Sequence, residues 1–354
     1  MFAGHRLVCH ESASSEDVHS AHVVVAAFRN PKRSSDGWDF QRSILERLGL
    51  SGRVLIGKVL VHLDDEYGAR TPRSTAEWTT YCAMYTGWRH VFRNYWSEGW
   101  SAMVARNHVM NCSMLCGAET ASDLRGRARS GMHHVGPRVE WTPLGWSANW
   151  QSGQRLRRSS ERTVGVGFYG NEKFQLRPNR ASLIARFESE TKTNVDGRML
   201  GRVGFGRGNA SEYVRLMHDT RLCLQISGLS AECYRMYEAL DAGCIPVLLN
   251  QFGNPSSPSA AVQYQFLPGL ERGDSLHITT SSRAIHRRGL PPFLWANAPS
   301  ELREQLVELR SNPNALDALQ RDTVRWWNRS LEHLRDRVIS NALGLKSCRS
   351  DGRL

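Results

Sequence analysis

Residues Cys223–Leu249, CLQISGLSAECYRMYEALDAGCIPVLL, read as one β-α-β unit and decide the fold class of this 354-residue chain. Leu222–Ile226 is a short apolar run of strand character. Ser227-Gly228-Leu229-Ser230 follows as a tight loop with serines suited to capping the next helix. Cys233, Met236, Tyr237 and Leu240 then recur at the i, i+3, i+4, i+7 spacing of one helix face. Gly243 stops that helix as a C-cap, and Ile245–Leu249 resumes as a second buried strand, with Pro246 tolerated near its start. The opposite helix face carries Glu232, Arg235 and Glu238, each a turn from the next. In open parallel sheets ligands bind beyond the carboxyl ends of strands, where helix N-termini offer N–H groups to anions. Arg235 therefore stands where a phosphate can dock, and Glu238, a turn deeper, where a ribose diol can donate two hydrogen bonds. The same spacing also describes an amphipathic helix with a solvated charged face.

Outward from this unit the pattern repeats. His22–Phe28 (HVVVAAF) predicts a buried strand and Phe40–Leu48 a helix. Val54–Leu63 contains another strand, running into the acidic cluster Asp64-Asp65-Glu66. His90–Phe92, before Arg93, and Val139–Leu144, closed by Pro143 and Gly145, are further short strands. Strands alternating with helices indicate an α/β domain with a largely parallel sheet. Cys112–Pro137, basic and Gly-rich, reads as a surface insertion, and the polar, aperiodic Ser147–Arg162 as a linker. A second α/β pattern begins at Val164–Phe168. It passes the Gly170-Asn171 loop, a helix near Ala181–Ser189 and a short helix at Tyr213–His218 before the central unit. Gly197–Gly208 lacks the strand–GxGxxG–helix context of a dinucleotide site and reads as a loop, as does Asn254–Ala261. Pro299–Leu309 and Leu316–Leu343 are predicted helical. A chain of this length exceeds what one core usually serves. The domains are placed at 1–150 and 163–325, with 326–354 a C-terminal helix and tail able to pack back on the first.

Apolar content of 40% and charged content of 23% describe an ordinary globular protein. The net charge of +12 favours polyanionic partners, whether nucleic acid, acidic glycans, phosphorylated substrates or anionic membranes. The densest patches, Arg125–Arg129 and Arg155–Arg158, lack the interleaved aromatics of a single-strand platform, and no zinc-finger or RNP pattern occurs. A nucleic-acid partner is not expected. Eight cysteines do not compose a metal site, because Cys112 and Cys116 have no second ligand pair at zinc spacing, despite His133-His134. Cys223, Cys233 and Cys244 read as small buried core residues; in a secretory protein some of the eight can pair, with no connectivity readable. No apolar run approaches the ~20 residues of a membrane span. The opening MFAGHRLVCHESASSEDVHS lacks the roughly 7–15-residue apolar stretch of a signal peptide. Three sequons, at Asn111, Asn209 and Asn328, permit luminal residence without arguing for it.

The run SAECYRMYEALDAGCIPVLL resembles the nucleotide-sugar-binding segment of the exostosin-like glycosyltransferases. It is most similar to the ribitol xylosyltransferase branch, with its Glu-Cys-Tyr-Arg-x-Tyr-Glu-Ala run and Gly-x-Ile-Pro-Val strand. VLVHLDDE (Val59–Glu66), VFRNYW (Val91–Trp96), VEWTPLGW (Val139–Trp146) and VGFYGN with RASLIARF (Val166–Phe187) stand in that family's order. PFLWANAPSELREQLVEL and the later Trp-Trp pair fit the family's ending less specifically.

The resemblance implies two Rossmann-like domains facing a cleft, a GT-B-like α/β fold, and a nucleotide-sugar-dependent, inverting transferase. The donor is expected to be a UDP-sugar and the acceptor a glycan or glycoprotein. Xylose is the sugar of the nearest branch, with glucuronate, galactose and arabinose open. Glu238 takes the role of ribose-binding carboxylate, and Arg235 and Ser230, with Gly170, Asn171 and Arg180 (or Arg177), can hold the diphosphate; the Gly170-Asn171 turn and its arginine also read as a plain βα loop with surface arginines. Many two-Rossmann-domain transferases carry a second Glu eight residues before this one; here that position is Ser230, a departure the exostosin-like branch shares. Arg93 can meet an anionic acceptor group, while Tyr95 and Trp96 either stack on a sugar ring or pack in the core. Asp65 or Glu66 can serve as the base toward the acceptor hydroxyl, bind acceptor hydroxyls, or cap a helix. The Asp-x-Asp element of metal-dependent transferases is absent, so neither a metal nor a cofactor beyond the sugar nucleotide is expected. Such proteins reside in the Golgi lumen behind an N-terminal anchor that is not visible here, so either a first segment is missing or the enzyme acts elsewhere. A non-catalytic glycan-binding or assembly subunit and a basic polyanion-binding module are the competing readings.

Overall fold

In the computed structural model, residues 23–27, 58–63, 88, 90–94, 138–143, 145–146, 150, 154–169, 182, 185, 210–226, 232–249, 264, 267, 291–296, 305, 307–309 and 311–343 are described. The chain divides into two compact units, Met1–Pro143 with Leu334–Arg349, and Leu144–His333 with Ser350–Leu354.

Among the described residues the first unit holds a parallel sheet of four strands in chain order: β1 (Val23–Ala27), β2 (Val59–Leu63), β3 (His90–Arg93) and β4 (Arg138–Trp141). Val59, Leu60, Val91 and Phe92 are fully buried, as inner strands of a parallel sheet require. His62 is packed in the strand as expected, at 0% exposure. The HVVVAAF run does form a strand, but it is not a buried one. Val25 is 59% exposed, because β1 pairs with β2 alone among the described strands and lies at the sheet edge.

The second unit repeats the plan with β5 (Val164–Gly167), β6 (Thr220–Gln225), β7 (Ile245–Leu249) and β8 (Leu294–Ala296), again parallel and in chain order. Helix α1 (Ala210–Asp219) leads into β6, α2 (Tyr234–Asp241) connects β6 to β7, and α3 (Pro313–Leu343) follows β8. Alternation along β6 sends Leu222 and Leu224 into a core with Val166, Phe168, Ile245, Val247 and Leu294, closed by Leu316 and Leu319 of α3. Cys223 points the other way, into a core with Tyr169, Met217, Ala239, Ala242 and Cys244. Both faces of this sheet are therefore covered, which is why its strands read as unbroken apolar runs.

Local chemistry sets the helix boundaries. Gly243 adopts φ +62° after α2, with Gly243 N–H donating to Leu240 O (3.1 Å) and Cys244 N–H to Ala239 O (2.8 Å), a Schellman closure. Asn312 caps α3 through its side chain, accepting from Ala315 N–H at 3.0 Å with Pro313 in the first turn. The start of α2 differs from the expectation of a serine cap. Cys233, extended at φ −153°, occupies the cap and makes no side-chain cap bond, so Ser230 lies three residues too early for that role. Gly167 at the end of β5 has no room for a side chain, since an added Cβ would meet the Tyr169 hydroxyl at 2.7 Å.

One further reading is extended and another corrected. Cys223 and Cys244 are buried as predicted, and they are joined in a disulfide with Cα atoms 5.8 Å apart; Cys233 is buried and takes part in no disulfide. Of the predicted linker, residues 154–162 are part of the second unit's architecture, because Arg162, 1% exposed, plugs the amino ends of its strands. Its Nη1 donates to Thr220 O (2.8 Å) and its Nη2 to Ala242 O (2.6 Å). Asp317 and Gln320 of α3 hold the same segment, accepting from Ser160 N–H and Ser159 N–H at 2.8 Å each. Of the predicted Ala181–Ser189 helix, Ser182 and Ala185 are helical. Phe40–Leu48, Cys112–Pro137, Gly197–Gly208 and Asn254–Ala261 lie outside the described residues.

Candidate functional site

The carboxyl ends of β5 and β6 bring Phe168, Tyr169 and Ile226 beside the amino end of α2. Arg235, in the first turn of that helix and half-buried, reaches back across both strand ends. Its Nε donates to Tyr169 O at 2.5 Å, its Nη1 to Ile226 O at 3.1 Å, and its guanidinium lies 4.6 Å from the Phe168 ring centre. One fixed cation thus stands at the mouth of two adjacent strands, next to a helix start whose cap residue satisfies no N–H by its side chain.

Glu238 lies one turn further along. A solvated charged face is excluded by burial, for Glu238 is 2% and Glu232 0% exposed. Carboxylates so enclosed need hydrogen-bond donors. Tyr213 of α1 donates its hydroxyl to Glu238 Oε2, and Tyr237 donates to Glu232 Oε1. Burial raises the Tyr213 pKa, and the neighbouring Glu238 charge and hydrogen bond raise it further, so the phenol stays protonated and remains a donor. The Tyr213 ring meets Tyr169 edge-on at 6.0 Å and Trp150 at 6.2 Å. Trp150 in turn donates its indole N–H to Asp241 at 2.8 Å and stacks on His218 at 5.5 Å. Tyr237 stacks on Trp327 of α3 at 5.6 Å, so the far side of α2 is anchored as well.

The structure therefore brings Arg235 and Glu238 together on one buried helix at the strand ends. Arg93 is the last residue of β3, in register with His62 and Trp141, which puts it at the carboxyl end of the first sheet. Asn94 follows it, fully buried, with its N–H on His62 O at 3.4 Å. Asp65, Glu66, Tyr95, Gly170, Asn171, Arg180 and Ser230 lie outside the described residues. Sequence reasoning missed Tyr213 and Tyr169 as partners of the pair. Tyr213 is 25 positions from Glu238, and no local spacing signals a contact between separate helices. Glu232 and Tyr237 had a signal, since both stand within the quoted ECYRMYEA run. Among the described residues no group of three or more His, Cys, Asp or Glu is placed to hold a metal ion, and no helix is long and apolar enough to cross a membrane.

Residues 61–269 match the family described as Exostosin GT47 domain, and residues 204–342 match the RXYLT1 C-terminal domain. The first match spans more than half of the chain, and the chain belongs to the exostosin GT47 family of glycosyltransferases. None of the curated proteins matches it significantly. Among solved structures, an alpha-glucosyltransferase in complex with UDP-glucose and DNA containing an abasic site is similar at 11% identity and TM-score 0.44, covering 92% of this chain and 82% of that one. A GtfA/B complex is similar at 10% identity and TM-score 0.32, covering 87% of this chain and 63% of that one.

Proposed function

We propose that this member of the exostosin GT47 family moves a sugar, with xylose the first candidate, from a UDP-sugar to a glycan acceptor by a metal-independent, inverting displacement. The observation that carries the reading is the placement of Arg235 and Glu238 on one helix at the carboxyl ends of β5 and β6, inside both matched regions. That is where open parallel sheets receive nucleotides. Arg235 and the N–H groups at the start of α2 meet the diphosphate, together with Ser230, Gly170, Asn171 and Arg180, and Glu238 accepts from the ribose diol. Charge developing on the departing UDP is then met by preorganised cations and dipoles.

The acceptor hydroxyl attacks the anomeric carbon as the bond to the UDP oxygen breaks, and its proton passes to Asp65 or Glu66. Arg93 and Tyr95 hold the acceptor. The choice of xylose rests on the likeness of residues 204–342 to the RXYLT1 C-terminal domain. Residence in the Golgi lumen is supported by the buried Cys223–Cys244 disulfide, since such bonds persist in oxidising compartments and are rare in the cytosol.

Calorimetry against a panel of UDP- and GDP-sugars, followed by slow donor hydrolysis, tests the reading. One UDP-sugar should bind and be hydrolysed. If every sugar nucleotide is ignored, the chain is a glycan-binding subunit or a polyanion-binding module and the proposal fails.

A further inference from the structure

We propose that Tyr213 is a positioning residue for the donor: its hydroxyl orients the Glu238 carboxylate toward the ribose diol, and its ring ties that carboxylate to the strand-end segment gripped by Arg235. The inference rests on the donor role of Glu238 given above and adds the residue through which that role is set. Three contacts carry it. The Tyr213 hydroxyl donates to Glu238 Oε2, across from one helix to the next. The Tyr213 ring meets the Tyr169 ring edge-on, 6.0 Å between centres and 89° between planes. The Tyr169 carbonyl accepts from Arg235 Nε at 2.5 Å, so the chain of contact runs from Glu238 through two tyrosines to the cation at the strand ends.

Tyr169 is itself fixed. Its hydroxyl and Thr220 Oγ1 are 2.6 Å apart, and its ring fills the space where a side chain on Gly167 would stand. A carboxylate offers about four lone-pair sites. Tyr213 takes one on Oε2 and so helps set the plane of the group. Losing that bond removes one of the contacts that hold the carboxylate about its last torsion, which is broad and two-fold. A donor then has to order it on binding, at a loss of affinity.

The test uses the full chain and two probes, UDP and 2′,3′-dideoxy-UDP, which differ only in the ribose hydroxyls. Calorimetry on the unaltered protein should show UDP bound ~10-fold or more tightly than the dideoxy compound, the range of hydrogen bonds to a charged group. Tyr213→Phe keeps the ring and its edge contacts and removes one oxygen. It should lower that ratio by ~5-fold or more while leaving dideoxy-UDP affinity within ~2-fold. The ratio is an internal control, because an unfolded fraction weakens both probes alike and cancels. The double variant Tyr213→Phe/Glu238→Gln should discriminate no worse than Glu238→Gln alone, as expected for residues acting through one group.

An unchanged ratio in Tyr213→Phe, tighter UDP binding by it, or further loss in the double variant overturns the inference. Loss of discrimination in Glu238→Gln with none in Tyr213→Phe overturns the Tyr213 role alone. Full discrimination retained by Glu238→Gln instead overturns the donor role of Glu238 on which it rests.

Discussion

Replacing Arg162 with Met tests whether residues 154–162 are framework or connection. Arg162 is 1% exposed and its guanidinium bridges Thr220 O at 2.8 Å, the first carbonyl of β6, and Ala242 O at 2.6 Å, three residues before β7. Burial, with Arg157 nearby, draws its pKa down to about 10, opposed by Asp219 and Asp317, so it is still charged at neutral pH. Met keeps the apolar stem and leaves two buried carbonyls without their donor, at about 1–3 kcal/mol each. Relief of the buried charge returns part of that sum. Gln320 continues to hold Arg157 O (3.0 Å) and Gly243 O (2.8 Å), which limits collapse of the segment. The expected net loss is about 2–4 kcal/mol. Urea titration of the variant, followed by tryptophan fluorescence and far-UV circular dichroism, measures it. Arg162→Lys, which reaches one carbonyl but not both, should fall between. A surface linker would give a change within about 0.5 kcal/mol. A loss that small for Arg162→Met refutes the reasoning, and the segment is then a connection after all.

The remaining predictions concern the donor helix, the disulfide and the acceptor side. Glu238→Gln retains an acceptor for the Tyr213 hydroxyl and should weaken UDP ~10-fold or more with little change in melting temperature; unchanged UDP affinity by calorimetry rules out the ribose role. Arg235→Lys loses the planar fork that spans Tyr169 O and Ile226 O, so it should weaken UDP more than uridine, and equal losses for both ligands would point to a displaced helix instead. Cys223→Ala with Cys244→Ala opens a crosslink between positions 21 apart in sequence, worth about 3 kcal/mol by loop-closure entropy, and an unchanged urea midpoint contradicts its stabilising role. Asp65→Asn and Glu66→Gln should each preserve UDP-sugar affinity, with transfer lost in the one that serves as base; wild-type transfer by both leaves the cluster without a catalytic part.

Strand placement, the β-α-β unit and the stop at Gly243 were legible along the chain because each is a local property. Period, cap and left-handed turn are decided by residues within about a turn of one another. The pairing of Arg235 with Glu238 was legible for the same reason, since both stand on one helix three residues apart. Burial of Glu238 and Glu232 was not, because a charged face looks the same in sequence whether water or another helix covers it. Tyr213 and Trp327 arrive from 25 residues before Glu238 and from the far end of the unit, and only packing brings them to α2. Disulfide choice among eight cysteines, and the conversion of a polar, aperiodic stretch into the seat of a buried arginine, are decisions of the same kind. Local sequence determined which elements exist and in what order; tertiary packing alone decided which polar groups lose water and must find one another, because desolvation depends on what lands on top of a residue and not on its neighbours in the chain.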